Sequence, residues 1–319
     1  MTNSFRRARR FLGDRRAVAI VEFAWVFPVA MLVIYSAFNL ARLANAEREL
    51  TELSDDMAQM IVETPNNTNK QTNGANYCWV PPPEPSAPAP YTNSSLTCGA
   101  LYDYTLKYIY DSAMLEFPGI FADASGIANH AVKAPSAGGT LSISMTGVAF
   151  AYTSSASTCG SSPSVSNGSC YTGYVVWTAG AAARPCGTTF LYSASYSTPT
   201  PSQLPPSLFT TVANPNGSGA LPPQFAVAVD IVYTFNPLLL GGGLLNVVPP
   251  VTIKRSTFLN PRYVSQISYF GAGNSTTNYY GQGTYGTACA KPAGWPGSDT
   301  TPTPPASIPV STTLPFWPH

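Results

Sequence analysis

One stretch decides how this chain is read: Ala17 to Ala41, AVAIVEFAWVFPVAMLVIYSAFNLA. It is 25 residues long and holds one charge, Glu22. As a helix it reaches roughly 37 Å at about 1.5 Å per residue. The hydrocarbon core of a bilayer is about 30 Å thick, so the segment is long enough to cross it. Six arginines precede it (Arg6, Arg7, Arg9, Arg10, Arg15 and Arg16), and Arg42 is the one basic residue in the next five. Positive charge stays on the cytoplasmic side. The expected arrangement is single-pass in an inner membrane, with the N-terminus cytoplasmic and the C-terminal domain periplasmic or extracellular. Ala44-Asn45-Ala46 offers a signal-peptidase site. A secretory h-region is normally about 7–15 apolar residues, however, and this run is longer and interrupted by a carboxylate.

Charge is scarce beyond the helix. The 319 residues are 45% hydrophobic with a formal net charge of +1, and from Pro65 to His319 eight basic and seven acidic side chains remain. A soluble domain carries about 25% charged residues. No basic face is available for nucleic acid, and the apolar and aromatic content argues against a charge-driven disordered tail.

An ionisable group inside a spanning helix is costly unless paired, which marks Glu22 as a functional candidate. If a peptidase cuts after Ala17, Glu22 becomes the fifth residue of the mature chain. A basic leader, a small residue, four apolar residues, Glu and an aromatic together resemble the processing site of type IV pilin-like proteins. The run from Arg16 to Pro28, RAVAIVEFAWVFP, resembles the start of the TadE/TadG-like family, the minor pseudopilins of the tight-adherence (Flp) pilus system. Ala17 stands where the family usually has Gly, and Pro28 lies six residues after the Glu, as is common there. The resemblance implies cleavage between Ala17 and Val18 by a prepilin peptidase. It also implies subunit assembly through Glu22, Phe23 and Pro28, with other pseudopilins or pilus-assembly proteins as partners. Glu22 would pair with the α-amino group of a neighbouring subunit, because pairing offsets the desolvation of both charges. Pro28 lacks an N–H and bends the helix.

Leu43, Ala46, Leu50, Leu53, Met57 and Met60 then recur at alternating spacings of three and four, an amphipathic pattern. The helix is expected to run from about Ala17 to Glu63 and to end at Thr64-Pro65. Its stripe packs on the protein's own sheet or on another pseudopilin helix; the first is preferred, since coiled coils usually sustain three or four heptads.

The expected fold class is α+β. A long transmembrane helix continues into an amphipathic helix and is followed by an antiparallel β-sheet ectodomain with irregular Pro/Gly/Ser-rich loops. The segments are a basic leader at 1–17, the transmembrane helix at 18–41 and its extension at 42–63. A Pro/Asn-rich linker follows at 64–98, then the α+β domain at 99–270 and a low-complexity tail at 271–319. A second helix is read over about 100–117, with Leu101, Tyr104, Leu106, Tyr108 and Leu115 as core. Strand patterns lie at 141–152, 173–178, 225–235, 251–259 and 262–270. Val227 to Pro237 with Val251 to Phe258 resembles the paired C-terminal strands of the family, and Gly173 to Thr178 resembles its Trp-containing strand.

Cys78, Cys98, Cys159, Cys170, Cys186 and Cys289 all fall on the exported side. An even count in an oxidising compartment reads as disulfides. Neighbouring pairs are expected, Cys78–Cys98 and Cys159–Cys170, which leaves Cys186–Cys289. No C-x-x-C or H-x-x-x-H spacing supports a metal site. No G-x-S-x-G, H-E-x-x-H or phosphate-binding loop is present, and His130 and His319 are the only histidines. Asp123-Ala124-Ser125 begins like a von Willebrand A metal site, but Ile127 replaces its second Ser. The expectation is a non-enzyme with no cofactor, no metal, no nucleic-acid partner and no small-molecule substrate. It is a pseudopilin-like structural protein, or alternatively an unprocessed membrane-anchored adhesin or envelope protein.

Overall fold

The computed structural model describes residues 15–63, 98–116, 141–152, 170–180, 183–194, 196, 202–210, 212–213, 220–221, 223, 225–235, 250–269 and 286–290. The chain divides into two compact units. One comprises Met1–Arg48 with Phe235–Val251, the other Glu49–Thr234 with Thr252–His319.

Helix α1 spans Arg15–Val62 and continues through Pro28. An 18-residue window of it has a mean hydropathy of 1.8 and none of that window is buried within the chain, so it is long and apolar enough to cross a membrane. Phe23, Trp25, Val26, Leu32, Val33 and Ile34 are all exposed. Water-facing helices pair an apolar stripe with a polar face; this part of α1 is predominantly apolar on every side.

In the second unit, helix α1 from Glu49 onward buries Leu50, Leu53, Ser54, Met57, Ala58, Ile61 and Val62, while Glu52, Asp55 and Asp56 stay exposed. Fully burying a Leu, Ile or Met side chain stabilises by about 1.5–3 kcal/mol. Strand β8 (Val251–Leu259) runs alongside. Ser54 Oγ and Thr257 Oγ1 are 2.8 Å apart, Thr257 Oγ1 donates to Asp55 Oδ1 at 2.8 Å, and Arg255 Nε donates to Thr51 Oγ1 at 3.3 Å. The Arg262 amide donates to the Val62 carbonyl at 3.4 Å, satisfying one of the acceptors that a helix end leaves open.

The main sheet holds β2 (Leu141–Tyr152), β3 (Tyr171–Gly180), β4 (Thr189–Leu191), β7 (Ala226–Phe235), β8 and β10 (Gly286–Ala288). Its order is β10-β3-β2-β7-β8, with β4 also on β3. The β2–β3, β2–β7, β3–β4 and β3–β10 pairings are antiparallel. Antiparallel sheet and long helix together make an α+β molecule. Two short pairs complete the topology. Strand β1 (Cys98–Leu101) runs parallel to β9 (Gln266–Tyr269), and β5 (Val212–Ala213) runs antiparallel to β6 (Ala220–Leu221).

The small polar residues of the central strands do not face water. Every described residue of β2 except Ser142, and every residue of β3 except Gly180, is buried. Successive strand residues point to opposite faces, so unbroken burial means that both faces are covered. Ser144 is accommodated by accepting the Ala183 amide at 2.9 Å. Trp177 is fully buried and donates its indole N–H to the Ile267 carbonyl at 2.9 Å. Its ring lies over Gly147, where the β2–β3 register shifts. A Cβ at Gly147 would come within 2.6 Å of Trp177 Cε2 and 2.7 Å of Phe225 Cζ. Gly180 has φ +78°, a conformation that favours glycine.

Helix α2 spans Asp103–Glu116. It buries Leu106, Ile109, Tyr110 and Ala113, with Leu101 buried in the strand before it. Tyr108, expected in the core, is 68% exposed. It lies between buried Leu106 and Ile109, about 100° per residue round the helix, on the outer side. The side chains of Tyr104 and Leu115 lie outside the described residues. Other boundaries also differ. Cys98, assigned to the linker, opens β1; the helix read over about 100–117 occupies 103–116; the strands read over 173–178 and 262–270 occupy 171–180 and 266–269; and the low-complexity tail contributes β10.

Candidate functional site

Glu22 is the ionisable side chain of the apolar segment, and it is exposed among exposed Phe23, Ala24 and Trp25. Phe23 and Phe27, one turn apart, pack with ring centroids 5.4 Å apart. The other polar side chains of this region turn back onto the helix. Ser36 Oγ donates to the Leu32 carbonyl at 2.8 Å and Asn39 Nδ2 to the Tyr35 carbonyl at 3.0 Å. Such i−4 bonds satisfy a donor without water. A carboxylate is acceptor-only and the carbonyls beside it offer no proton, so Glu22 cannot be satisfied in that way. No described residue pairs with it. Pro28 lies in the helix interior, and its missing N–H leaves the Ala24 carbonyl without its ordinary donor. Glu22 and Pro28 thus leave a carboxylate and a backbone acceptor open on one short stretch. Ala17 and Val18 are helical; their side chains lie outside the described residues.

Arg42 closes the apolar stretch. Its guanidinium lies 6.0 Å from the Phe38 ring centroid and 5.5 Å from that of Phe235, at the end of β7. Nη1 is buried and has no hydrogen-bond partner among the described residues.

A second polar centre lies in the sheet-containing unit, and sequence reasoning missed it. Arg184 is fully buried in the loop after β3, and Asp230 is buried in β7. Arg184 Nε donates to Asp230 Oδ2 at 2.8 Å and Nη2 to Oδ1 at 3.0 Å, a two-point pairing of the kind planar guanidinium favours. Nη1 donates to the Gln203 carbonyl at 2.9 Å, and Ser256 Oγ donates to Asp230 Oδ1 at 2.6 Å. The Phe258 and Phe190 ring centroids lie 5.2 and 5.6 Å from the guanidinium. Arg184 donates three hydrogen bonds and Asp230 accepts three within this chain, so the centre fastens a loop to β7 and β8. A signal was present in the sequence: an isolated Asp inside AVAVDIVYTF is buried only if paired.

Cys186 and Cys289 form a disulfide, with Cα atoms 5.2 Å apart across a sequence separation of 103. It lies at the end of β10, where the Cys289 amide also donates to the Val176 carbonyl at 2.8 Å. Cys98 and Cys170 are disulfide-bonded as well. Cys78 and Cys159 lie outside the described residues, as do His130, Asp123 and the rest of the linker. Tyr269 donates its hydroxyl to Asp103 Oδ1 in a short bond and accepts the Gly286 amide at 3.2 Å. Burial raises its pKa strongly, and the hydrogen bond to Asp103 raises it further. Among the described residues no three His, Cys, Asp or Glu side chains form a group able to hold a metal ion.

No protein-family model, curated protein or solved structure matches the chain.

Proposed function

We propose that this chain is a minor pseudopilin-like structural subunit for assembly of a tight-adherence type IV pilus. It is inserted in the inner membrane by the apolar part of α1, with its N-terminus cytoplasmic, and is processed by a prepilin peptidase between Ala17 and Val18. One observation carries the reading. A single helix joins an exposed, predominantly apolar segment to a sheet domain, and within that segment stands one carboxylate, Glu22, for which no described residue is a partner. Cleavage creates an α-amino group on Val18. Glu22 of one subunit then pairs with that group on the next, and helices stack in a fixed register. An unpaired charge in the same setting is strongly penalised, so the pair selects one stagger over others. The amphipathic extension, 42–63, carries the helix from membrane to ectodomain. The protein has a structural role and no reaction of its own.

The N-terminus of the protein recovered from membranes tests the reading. Val18 supports processing and assembly. Met1 points to an unprocessed anchored adhesin or envelope protein, and Glu47 to a secreted one. Glu22→Ala is expected to remain in the membrane fraction and to abolish the protein's contribution to sheared surface filaments. Normal filament yield from that variant would rule out the pairing role.

A further inference from the structure

The few polar side chains in the apolar part of α1 are not spread evenly round it. From Glu22 to Ala41, five side chains carry nitrogen or oxygen: Glu22, Trp25, Tyr35, Ser36 and Asn39. At about 100° per residue they fall within about 140° of the helix circumference. Glu22, Trp25, Val29, Leu32, Ser36 and Asn39 form a stripe at alternating spacings of three and four, the period of a helix–helix seam. Phe23, Phe27, Ala30, Ile34 and Phe38 line the opposite side and offer only hydrocarbon. Pro28 stands on the side of the stripe, and the Ala24 carbonyl it leaves open lies one turn before it.

Lipid suits the second side and not the first. Ser36 Oγ and Asn39 Nδ2 are satisfied by their own helix. The Glu22 carboxylate and the Trp25 indole N–H have no bond to any described residue, and Asn39 Oδ1 has no hydrogen-bond partner among them. Trp25 is 78% exposed. Its N–H is a donor only. It stands about 12 Å along the helix from Ala17, at about 1.5 Å per residue, inside a hydrocarbon core of about 30 Å. At that depth no water satisfies it, and polar groups of spanning helices turn toward protein.

We propose that the Glu22–Asn39 side of α1 is a contact face for a second copy of this chain, packed parallel to the first within the membrane. The face is complementary to itself, because its donor, Trp25, adjoins an open acceptor, the Ala24 carbonyl. Two copies inserted in the same direction put each indole N–H level with the other copy's Ala24 carbonyl, so one two-fold contact makes both bonds. Ser36, a small residue on the stripe, lets the backbones approach. Glu22 lies at the rim, about 60° round the helix from Trp25, and remains available for the α-amino pairing proposed above.

The inference rests on the membrane insertion proposed above and not on cleavage after Ala17, and the test separates the two. The full chain is produced in bacterial membranes with a photoreactive phenylalanine analogue placed singly at Val29 or Leu32 on the stripe, or at Ala30 or Ile34 on the opposite side. After irradiation the membranes are washed with alkaline carbonate, and the products are sized and peptide-mapped. A product joining two copies from 29 and 32, several-fold above that from 30 and 34, is the expected result. Equal yields on the two sides, no product at any position, or products joining this chain only to a different protein would overturn the contact face and leave the insertion intact. Loss of the chain from the washed membranes would overturn both. Trp25→Phe keeps a ring and removes the N–H. It should lower the two-copy product from 32 roughly three-fold, as expected for one interhelical hydrogen bond in a membrane, while the chain stays in the washed membranes. An unchanged yield would overturn the pairing of Trp25 with the Ala24 carbonyl on which the face is built.

Discussion

At the residue scale, two positions show how little freedom the core leaves. Gly147 is set by the Trp177 ring, which occupies the space a Cβ would need. Gly147→Ala forces either the indole off its bond to the Ile267 carbonyl or the strand off its register. Overpacking of this kind costs about 1–3 kcal/mol, and a urea denaturation curve should show it as a lower midpoint. An unchanged midpoint would mean that the indole has room to move. Tyr269 makes the second case. Its pKa is raised by burial and by Asp103, so the folded state holds the phenol proton more tightly than the unfolded chain does. A raised pKa contributes stability that is complete below the unfolded value of about 10 and fades as pH climbs toward the folded one. Stability should therefore fall above about pH 10, and Tyr269→Phe should flatten that fall. Tyr174 and Tyr196 are raised by burial as well, so a residual slope is expected. An unaltered slope in the variant would remove Tyr269 from the account.

At the scale of elements, the Arg184–Asp230 pair ties a loop to β7 and β8. Arg184→Met strands a buried carboxylate and should cost about 3–5 kcal/mol, whereas Arg184→Met with Asp230→Leu should recover most of it. Equal losses in the single and double variants would show that packing of the loop, and not its charge, is what matters. The elements also differ in how far the sequence revealed them. Helix α1 was legible because 25 residues carry one charge and form an apolar run longer than the roughly 20 residues a spanning helix needs. Strands β2, β3, β7 and β8 were legible from β-branched and aromatic runs between Gly, Pro and Ser clusters. Strand β1 was not: Cys98-Gly99-Ala100-Leu101 has no alternation, and its partner β9 lies more than a hundred residues on. Strand β10 was hidden for a similar reason. Gly286-Thr287-Ala288 matches any loop, and it is held by partners far away in sequence: β3, the Tyr269 hydroxyl and Cys186. Glu22 was legible as an oddity within one helix, while Arg184 and Asp230 needed the fold to bring them together.

At the scale of the whole molecule, the disulfide between Cys186 and Cys289 closes a segment of sequence separation 103. Removing a native bridge of this kind typically costs about 2–5 kcal/mol. Cys186→Ser with Cys289→Ser, which leaves no odd thiol, should lower the urea midpoint accordingly. Retention of full stability would imply that the hydrogen bonds of β10 to β3 suffice. The bridge has one further consequence. In the filament role proposed above the chain would bear load. Tension applied from the C-terminal side of Cys289 meets the sulfur–sulfur bond before it meets the three-residue strand β10. The pull passes across to the loop that holds Arg184, and thence into β7 and β8, so the sheet is loaded through its interior and not peeled from its edge.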